Sequence, residues 1–498
     1  MKFLGLRLDA HDSSITYTDG PNVKYYKPER HNQIKHFGYD NLKDWPQVSK
    51  ILGFNIEDLN AIALVIDVPK HSYLPKEDPD RLYEYISIPY LPFTEIKCPV
   101  FRIDHHYAHS LSSWMLTDTE EHFVHDGFGD LERSISIFNN QTKIKSYNIH
   151  EIESFGRFLG DLGKYLKVEG HPEDIAGKLM ALQSFGQIDK GYWNLIQNLS
   201  YEDFSKVSNY ENYKRCYQSN IACELNLLNY LSTIHLFTEN KLPEFFKKYL
   251  SDKQEFTYSG GVAHNVCVNT KLKEAFPKMI IPPHCADEGL SFGCVEFLRR
   301  HYEQPAFSKQ GFPFWQSDTP PDFHPQLSTI KRTAEHLAAG KIVGWYQGQG
   351  EVGPRALGNR SILMSPEVTN GKHILNEKVK HREDYRPFAA SIKLDKAPEY
   401  FDWQGESPFM QYSVKFKDRI FDPISHIDGT SRIQTVKPNH QYFYQLLSEF
   451  EKVTGIPMLL NTSLNDNGKP IAGNPKDAIN LLRNSELDML VIGDKVVI

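Results

Sequence analysis

Two histidines, His105 and His109, stand four residues apart in IDHHYAHS (103–110), with His106 beside the first. On a helix this spacing puts both imidazoles on one face, about 5–6 Å apart at Cβ, close enough to share a divalent ion. Asp126 in HDGFGD and Asp287 in ADEG each lie at the end of an apolar run. Two carboxylates added to two imidazoles make a mixed N/O shell that suits iron, manganese or zinc. Taken singly, either aspartate also reads as a turn residue or a helix N-cap.

A second kind of chemistry is written in SGGVAHN (259–265). The pair Gly260-Gly261 lets backbone approach a ligand, Asn265 offers an amide to a ribose or base, and a following helix would turn its N-terminus towards phosphate. A structural tight turn satisfies the same residues. Fixed cations gather further on, in GQGEVGPRALGNRS (348–361) and NEKVKHREDYRPFA (376–389), which carry Arg355, Asn359, Arg360, Lys380, Arg382 and Arg386. Guanidinium forks bind phosphate or carboxylate bidentately and a lysine adds a point charge, although a solvated basic face has the same composition. Arg432 in HIDGTSRIQTV, with Asn461 and Ser463 in LLNTSLNDNGKPI, is expected at strand ends facing the same pocket. No P-loop, G-x-S-x-G or H-E-x-x-H occurs, so the commonest ATPase, hydrolase and zincin designs are absent.

These groups need elements to hold them. KFLGLRLDAHDSSITYT reads as two strands around a polar turn that carries His11. HFVHDGFGDLERSISIFNN (122–140) repeats the pattern, which predicts an internally duplicated architecture like that of the actin, sugar-kinase and Hsp70 superfamily. AIALVID and PVFRID read as buried strands, the second running into the histidine helix, and 220–250 as core helices. Periodicity fails over 304–325, where Pro, Gly and Ser accumulate, so the domains are placed at 1–303 and 326–498 with 304–325 as linker. Beyond it, short apolar strands alternate with helical stretches in an α/β pattern.

At 498 residues the chain has room for two or three domains. A net charge of -7 gives no basic field to recruit nucleic acid or an anionic membrane, so neither is an expected partner. Asp9 interrupts the amino terminus before a signal sequence could form, and six scattered cysteines without a C-x-x-C pair fit reduced thiols in a cytoplasm.

In order along the chain, GLRLDAHDSS, ERHNQIKH (29–36), HHYAHS, HDGFGD, GKLMALQSFG (177–186), SGGVAHN, ADEGLSFG and the later cationic motifs resemble the NodU/CmcH-type O-carbamoyltransferases. The resemblance implies an α/β fold: an actin-like (ASKHA) amino-terminal domain of the threonylcarbamoyl-transferase type, then a YrdC-like domain. It implies that the second domain makes carbamoyl adenylate from carbamoyl phosphate and ATP, and that the first transfers the carbamoyl group to a hydroxyl of a small-molecule acceptor. Carried over, His11 is the base, Lys380 and Arg386 hold carbamoyl phosphate with Arg355, Arg432 and Asn461, and Asp12, Lys178, Gly260, Gly261 and Asn265 face nucleotide. His105, His109, Asp126 and Asp287 hold a divalent metal, Fe2+ foremost, with Mg2+ or Mn2+ as substitutes. A monomer or homodimer is expected. The chain departs from the pattern in a first domain shortened by tens of residues, which bears on the acceptor, and in ADEG for the more usual G-D-x-G.

Two other readings compete. A threonylcarbamoyl-type or hydrogenase-maturation carbamoyltransferase would share the metal histidines; the first calls for a basic surface and the second for zinc-finger cysteine pairs. A nucleotide-gated binding protein of the actin or Hsp70 kind would bind ATP without transfer chemistry, and leaves the later cationic motifs unexplained.

Overall fold

A computed structural model describes residues 1–8, 11–38, 45–66, 81–86, 90–91, 94–139, 141–218, 226–317 and 323–498. It divides into two compact units, one formed by 1–117 with 283–498 and the other by 118–282.

In the first unit, strands β1 (Lys2–Arg7), β2 (Ser14–Asp19), β3 (Asn22–Tyr26), β4 (Ala61–Val65), β5 (Tyr83–Ile86) and β8 (Val100–Ile103) form a sheet in the order β3-β2-β1-β4-β8-β5, while β6 (Tyr90–Leu91) and β7 (Thr94–Glu95) pair separately. Alternation along β1 sets the two faces. Leu4 and Leu6 enter a core with Ile15, Tyr17, Ile62 and Leu64. The opposite face meets helix Leu290–His301 so closely that a Cβ on Gly5 would lie 2.3 Å from the Ser291 carbonyl oxygen. The same helix packs on helix His105–Leu111 at Gly293, where a Cβ would sit 1.9 Å from the Ala108 oxygen. Glycine is therefore required at two points that bring Asp287 towards the histidine helix.

The eight-stranded sheet of this unit contains β14 (Val343–Tyr346), β15 (Arg360–Met364), β16 (Ala389–Lys393), β17 (Tyr412–Lys415), β18 (Thr430–Val436), β19 (Met458–Ser463), β20 (Met489–Ile492) and β21 (Lys495–Val497), ordered β17-β18-β16-β19-β15-β14-β20-β21. Only β14–β20 and β16–β18 run parallel. Arg432 and Asn461, expected at strand ends, lie inside β18 and β19, where Asn461 pairs in register with both Leu363 and Ala389. The polar residues in these strands interrupt the apolar pattern and shorten the strands as read from sequence.

In the second unit, β9 (Glu121–His125), β10 (Arg133–Asn139), β11 (Thr142–Asn148), β12 (Phe256–Ser259) and β13 (Met279–Ile280) are ordered β11-β10-β9-β12-β13. Here β9, β10 and β11 meander antiparallel and β12 joins β9 in parallel, as β1, β2, β3 and β4 do in the first unit. The repeated hairpins thus extend to repeated sheets, and the fold is the duplicated, actin-like α/β fold.

Among the described residues no helix is long and apolar enough to cross a membrane. Cys98, Cys216, Cys267, Cys285 and Cys294 are unbridged, and Cys223 lies outside the described residues.

Candidate functional site

The histidine helix begins where β8 ends. Asp104 caps it by accepting the Tyr107 amide at 2.9 Å, which satisfies one of the open donors of the first turn. His105, His106 and His109 are all buried. His105 and His109 share a face as their spacing predicts, with ring centroids 5.0 Å apart. Their Nε2 atoms lie 3.3 and 3.5 Å from one oxygen of Asp287, Oδ1. The other oxygen, Oδ2, accepts from Arg7 Nε at 3.2 Å and Nη2 at 2.9 Å. Burial alone would raise the Asp287 pKa, but His105 and Arg7 outweigh it and hold the carboxyl well below the usual range. Two imidazole nitrogens and one carboxylate oxygen converging in a buried site fit a divalent metal, and the guanidinium on Oδ2 leaves Oδ1 directed at that point.

Asp126 ends β9 in the second unit. Its Oδ1 accepts the amides of Gly127 at 2.7 Å and Gly261 at 2.9 Å. Gly260 has φ 95°, and a Cβ there would lie 2.3 Å from the His125 oxygen, so this close approach of two strand ends requires glycine. Asn265 caps helix Val266–Ala275 through Oδ1 and meets His235 Nε2 at 3.1 Å through Nδ2. The Lys178 amine donates to the Glu169 carbonyl at 2.5 Å. Gly260, Gly261 and Asp126 are thus one local construction, whereas Asn265 is a helix cap and Lys178 a loop tie.

His11 and Asp12 occupy the loop between β1 and β2, with His11 Nδ1 3.2 Å from Asp12 Oδ2. The cationic motifs converge in the first unit. Arg355, Arg382 and Arg432 are each held below the usual guanidinium range, first by burial and also by neighbouring guanidiniums, Arg386 among them in every case. Since arginine keeps its proton, the shift expresses the cost of burying these charges, to which their mutual repulsion adds. Neither the Arg355 nor the Arg432 guanidinium has an ion pair or hydrogen bond among the described residues, and Arg432 Nε is buried. Asn461 is wholly buried and donates through Nδ2 to Ser391 Oγ at 2.8 Å, while its Oδ1 lacks a partner among the described residues. Arg382 lies over the Phe388 ring at 4.4 Å. Burial, then Arg382 and Arg386, push the Lys380 amine well below its ordinary range. Lys380 donates to Ser463 O at 2.9 Å, Asn465 O at 2.6 Å and Asn465 Oδ1 at 2.6 Å.

Two members of the same motif serve the loop itself. Arg360 donates to the carbonyls of Gln347, Asn359 and Gly348 and stacks 3.6 Å from the Tyr346 ring centroid. Asn359 donates to Gln349 O at 2.7 Å. Sequence reasoning overlooked the residue that shapes this loop: Glu351, wholly buried, accepts the amides of Leu357, Asn359 and Arg360 on a single oxygen at 2.8, 2.9 and 3.1 Å. It also overlooked Arg7. A charge at an inward position of an apolar strand was the available signal, because a buried guanidinium needs an acid.

The actin-like duplicated fold thus carries a buried histidine-carboxylate centre and a set of crowded guanidiniums, of which Arg386 meets Glu383 at 3.8 Å. Residues 81–295 match the family model described as Carbamoyltransferase N-terminus, and residues 334–498 match Carbamoyltransferase C-terminus. The chain is 26% identical over 545 residues to nodulation protein NolNO of Sinorhizobium fredii, covering 98% of this chain and 79% of that one. It is 29% identical over 341 residues to 3'-hydroxymethylcephem-O-carbamoyltransferase of Amycolatopsis lactamdurans, covering 64% of each. The crystal structure of HypF from T. kodakarensis aligns with 61% of this chain and 48% of that chain at 12% identity and a TM-score of 0.37. The chain belongs to the carbamoyltransferase family, and it is an enzyme that transfers a carbamoyl group.

Proposed function

We propose that the protein is an ATP-dependent O-carbamoyltransferase whose two domains, 1–303 and 326–498, divide the work. The crowding of Arg355, Arg382, Arg386 and Arg432 on one another, with Arg382 and Arg386 also acting on Lys380, carries this reading. Cations held together are costly even with Glu383 3.8 Å from Arg386, and a bound polyanion relieves them. Carbamoyl phosphate and the triphosphate of ATP have the required charge. In this reading water hydrolyses carbamoyl phosphate to carbamate and inorganic phosphate, and a carbamate oxygen then bonds to the α-phosphorus of ATP as pyrophosphate leaves, forming carbamoyl adenylate. Lys380, whose three donors are already held by Ser463 and Asn465, acts through its charge and keeps the segment after β19 in place.

Transfer then joins an acceptor hydroxyl oxygen to the carbamoyl carbon as AMP leaves. His11 takes the hydroxyl proton, since imidazole titrates near neutrality. His105, His109 and Asp287, with Asp126 as a further ligand, would hold a divalent metal, which when bound supplies a Lewis acid for developing negative charge. The acceptor is a small alcohol, such as a sugar or natural product. Incubation with labelled carbamoyl phosphate and ATP tests the proposal: AMP and pyrophosphate that form only when carbamoyl phosphate is present support it, and ADP as the sole product refutes it.

A further inference from the structure

The segment between β3 and residue 38 has no part in the reading above, yet it carries a dense buried polar network. Lys27, Glu29 and Asp12 are all buried. Lys27 Nζ lies 3.2 Å from Asp12 Oδ1 and 3.1 Å from Glu29 Oε1, so one ammonium joins two carboxylates. The other oxygen of Glu29 accepts the backbone amide of His36 at 2.9 Å. His36 Nδ1 in turn meets Asp12 Oδ2 at 2.9 Å, the same oxygen that His11 Nδ1 meets at 3.2 Å. A backbone bond from Ser13 N to Phe37 O at 3.0 Å laces the two turns together.

Backbone geometry singles out the same residues. Asp12 has φ 50° and His36 has φ 55°, left-handed conformations that a side chain enters at a cost of roughly 1 kcal/mol each or more. Strain at two residues facing one carboxylate persists because the network fixes both: Glu29 holds the His36 backbone, and Lys27 holds the oxygen of Asp12 that the imidazoles do not use. One ammonium between two carboxylates leaves a net charge of -1, which the guanidinium of Arg30, with Nε 3.7 Å from Glu29 Oε1, offsets.

We propose that His36 is a positioning residue for carbamoyl transfer: with Lys27 it fixes Asp12, so that His11 turns Nδ1–H to Asp12 and presents Nε2 as its basic nitrogen. This rests on the proposed role of His11. An imidazole that donates from Nδ1 carries its lone pair on Nε2. In the transfer step the acceptor O–H proton goes to Nε2, the acceptor oxygen bonds to the carbamoyl carbon, and the bond from that carbon to the phosphate oxygen breaks as AMP leaves with the electron pair. The Asp12 carboxylate offsets the positive charge on His11.

The test uses the full chain with ATP, labelled carbamoyl phosphate and the low-molecular-weight filtrate of the producing cells as the source of acceptor. Pyrophosphate release reports activation, and acid-stable label in the filtrate reports transfer. His36→Gly removes the side chain and tolerates a positive φ, whereas His36→Asn keeps an N–H near the place of Nδ1. The expected result is pyrophosphate release within twofold of the unaltered enzyme in both variants, transfer reduced at least tenfold in kcat by His36→Gly, and most of it restored in His36→Asn. Unchanged transfer in His36→Gly overturns the proposal, as does an equal loss of pyrophosphate release, which marks a merely structural role. Unaltered enzyme that shows no carbamoyl-phosphate-dependent pyrophosphate release refutes the proposed function itself. If it releases pyrophosphate but labels nothing, the transfer step and this inference fall together.

Discussion

Glu351 is where a single substitution should couple loop architecture to activity. One of its oxygens accepts three backbone amides, from Leu357, Asn359 and Arg360, in a wholly buried position. Glu351→Ala strands three buried N–H groups at about 1–3 kcal/mol each, so the loop loses roughly 3–9 kcal/mol of local support, least if water enters. Glu351→Gln keeps an acceptor but replaces charge-assisted bonds with neutral ones, a loss on the order of 1 kcal/mol per bond. The loop carries Arg355, and if about 1.4 kcal/mol of this is felt there the KM for carbamoyl phosphate rises about tenfold. Pyrophosphate release measured against carbamoyl phosphate concentration, with urea melts of the same preparations, reads both effects. The ranking expected is unaltered enzyme, then Gln, then Ala, in stability and in apparent affinity. A Glu351→Ala enzyme with an unchanged KM and melt would refute the reasoning.

Other substitutions probe the histidine centre and two half-buried imidazoles. Arg7→Met leaves Asp287 without its guanidinium; breaking a buried pair costs about 3–5 kcal/mol, and metal retained after gel filtration, measured by elemental analysis, should fall with the melting temperature. Gly293→Ala puts a Cβ 1.9 Å from the Ala108 oxygen, and overpacking of this kind costs about 1–3 kcal/mol or more, seen as a lower melting temperature. Burial, with the Arg30 charge, lowers His31 to about 4, and burial, with His324, lowers His440 to about 3. The unfolded chain therefore takes up these protons first, so the urea midpoint should be highest above about pH 6.5 and fall as the pH is lowered towards 4 and then 3. His31→Gln and His440→Gln should each flatten that slope; an unchanged slope in both would contradict it.

What could be read in advance follows the range of the interactions. The histidine face and both hairpins rest on periods of 3.6 and 2, which are local properties of HHYAH, KFLGLR and SITYT. Arg7 and Asp287 meet across 280 residues, and no local pattern joins them. The basic motifs were legible as charge, but which cation faces an anion and which braces its own loop was not. Arg360 and Arg355 stand five apart in one motif, yet the first is held by carbonyls and the second by no described residue. ERHNQIKH was legible only as part of a resemblance, because the function of His36 depends on a backbone conformation that composition does not encode.

The order of the chain also bears on its synthesis. Residues 118–282 form a unit from one continuous stretch, which can complete itself as soon as it emerges from the ribosome. The unit that begins with β1 cannot, because the face bearing Gly5 and Arg7 is covered by residues 287–301. The hairpin of β1 and β2 thus stays uncovered until residues some 280 positions later in the chain have been translated.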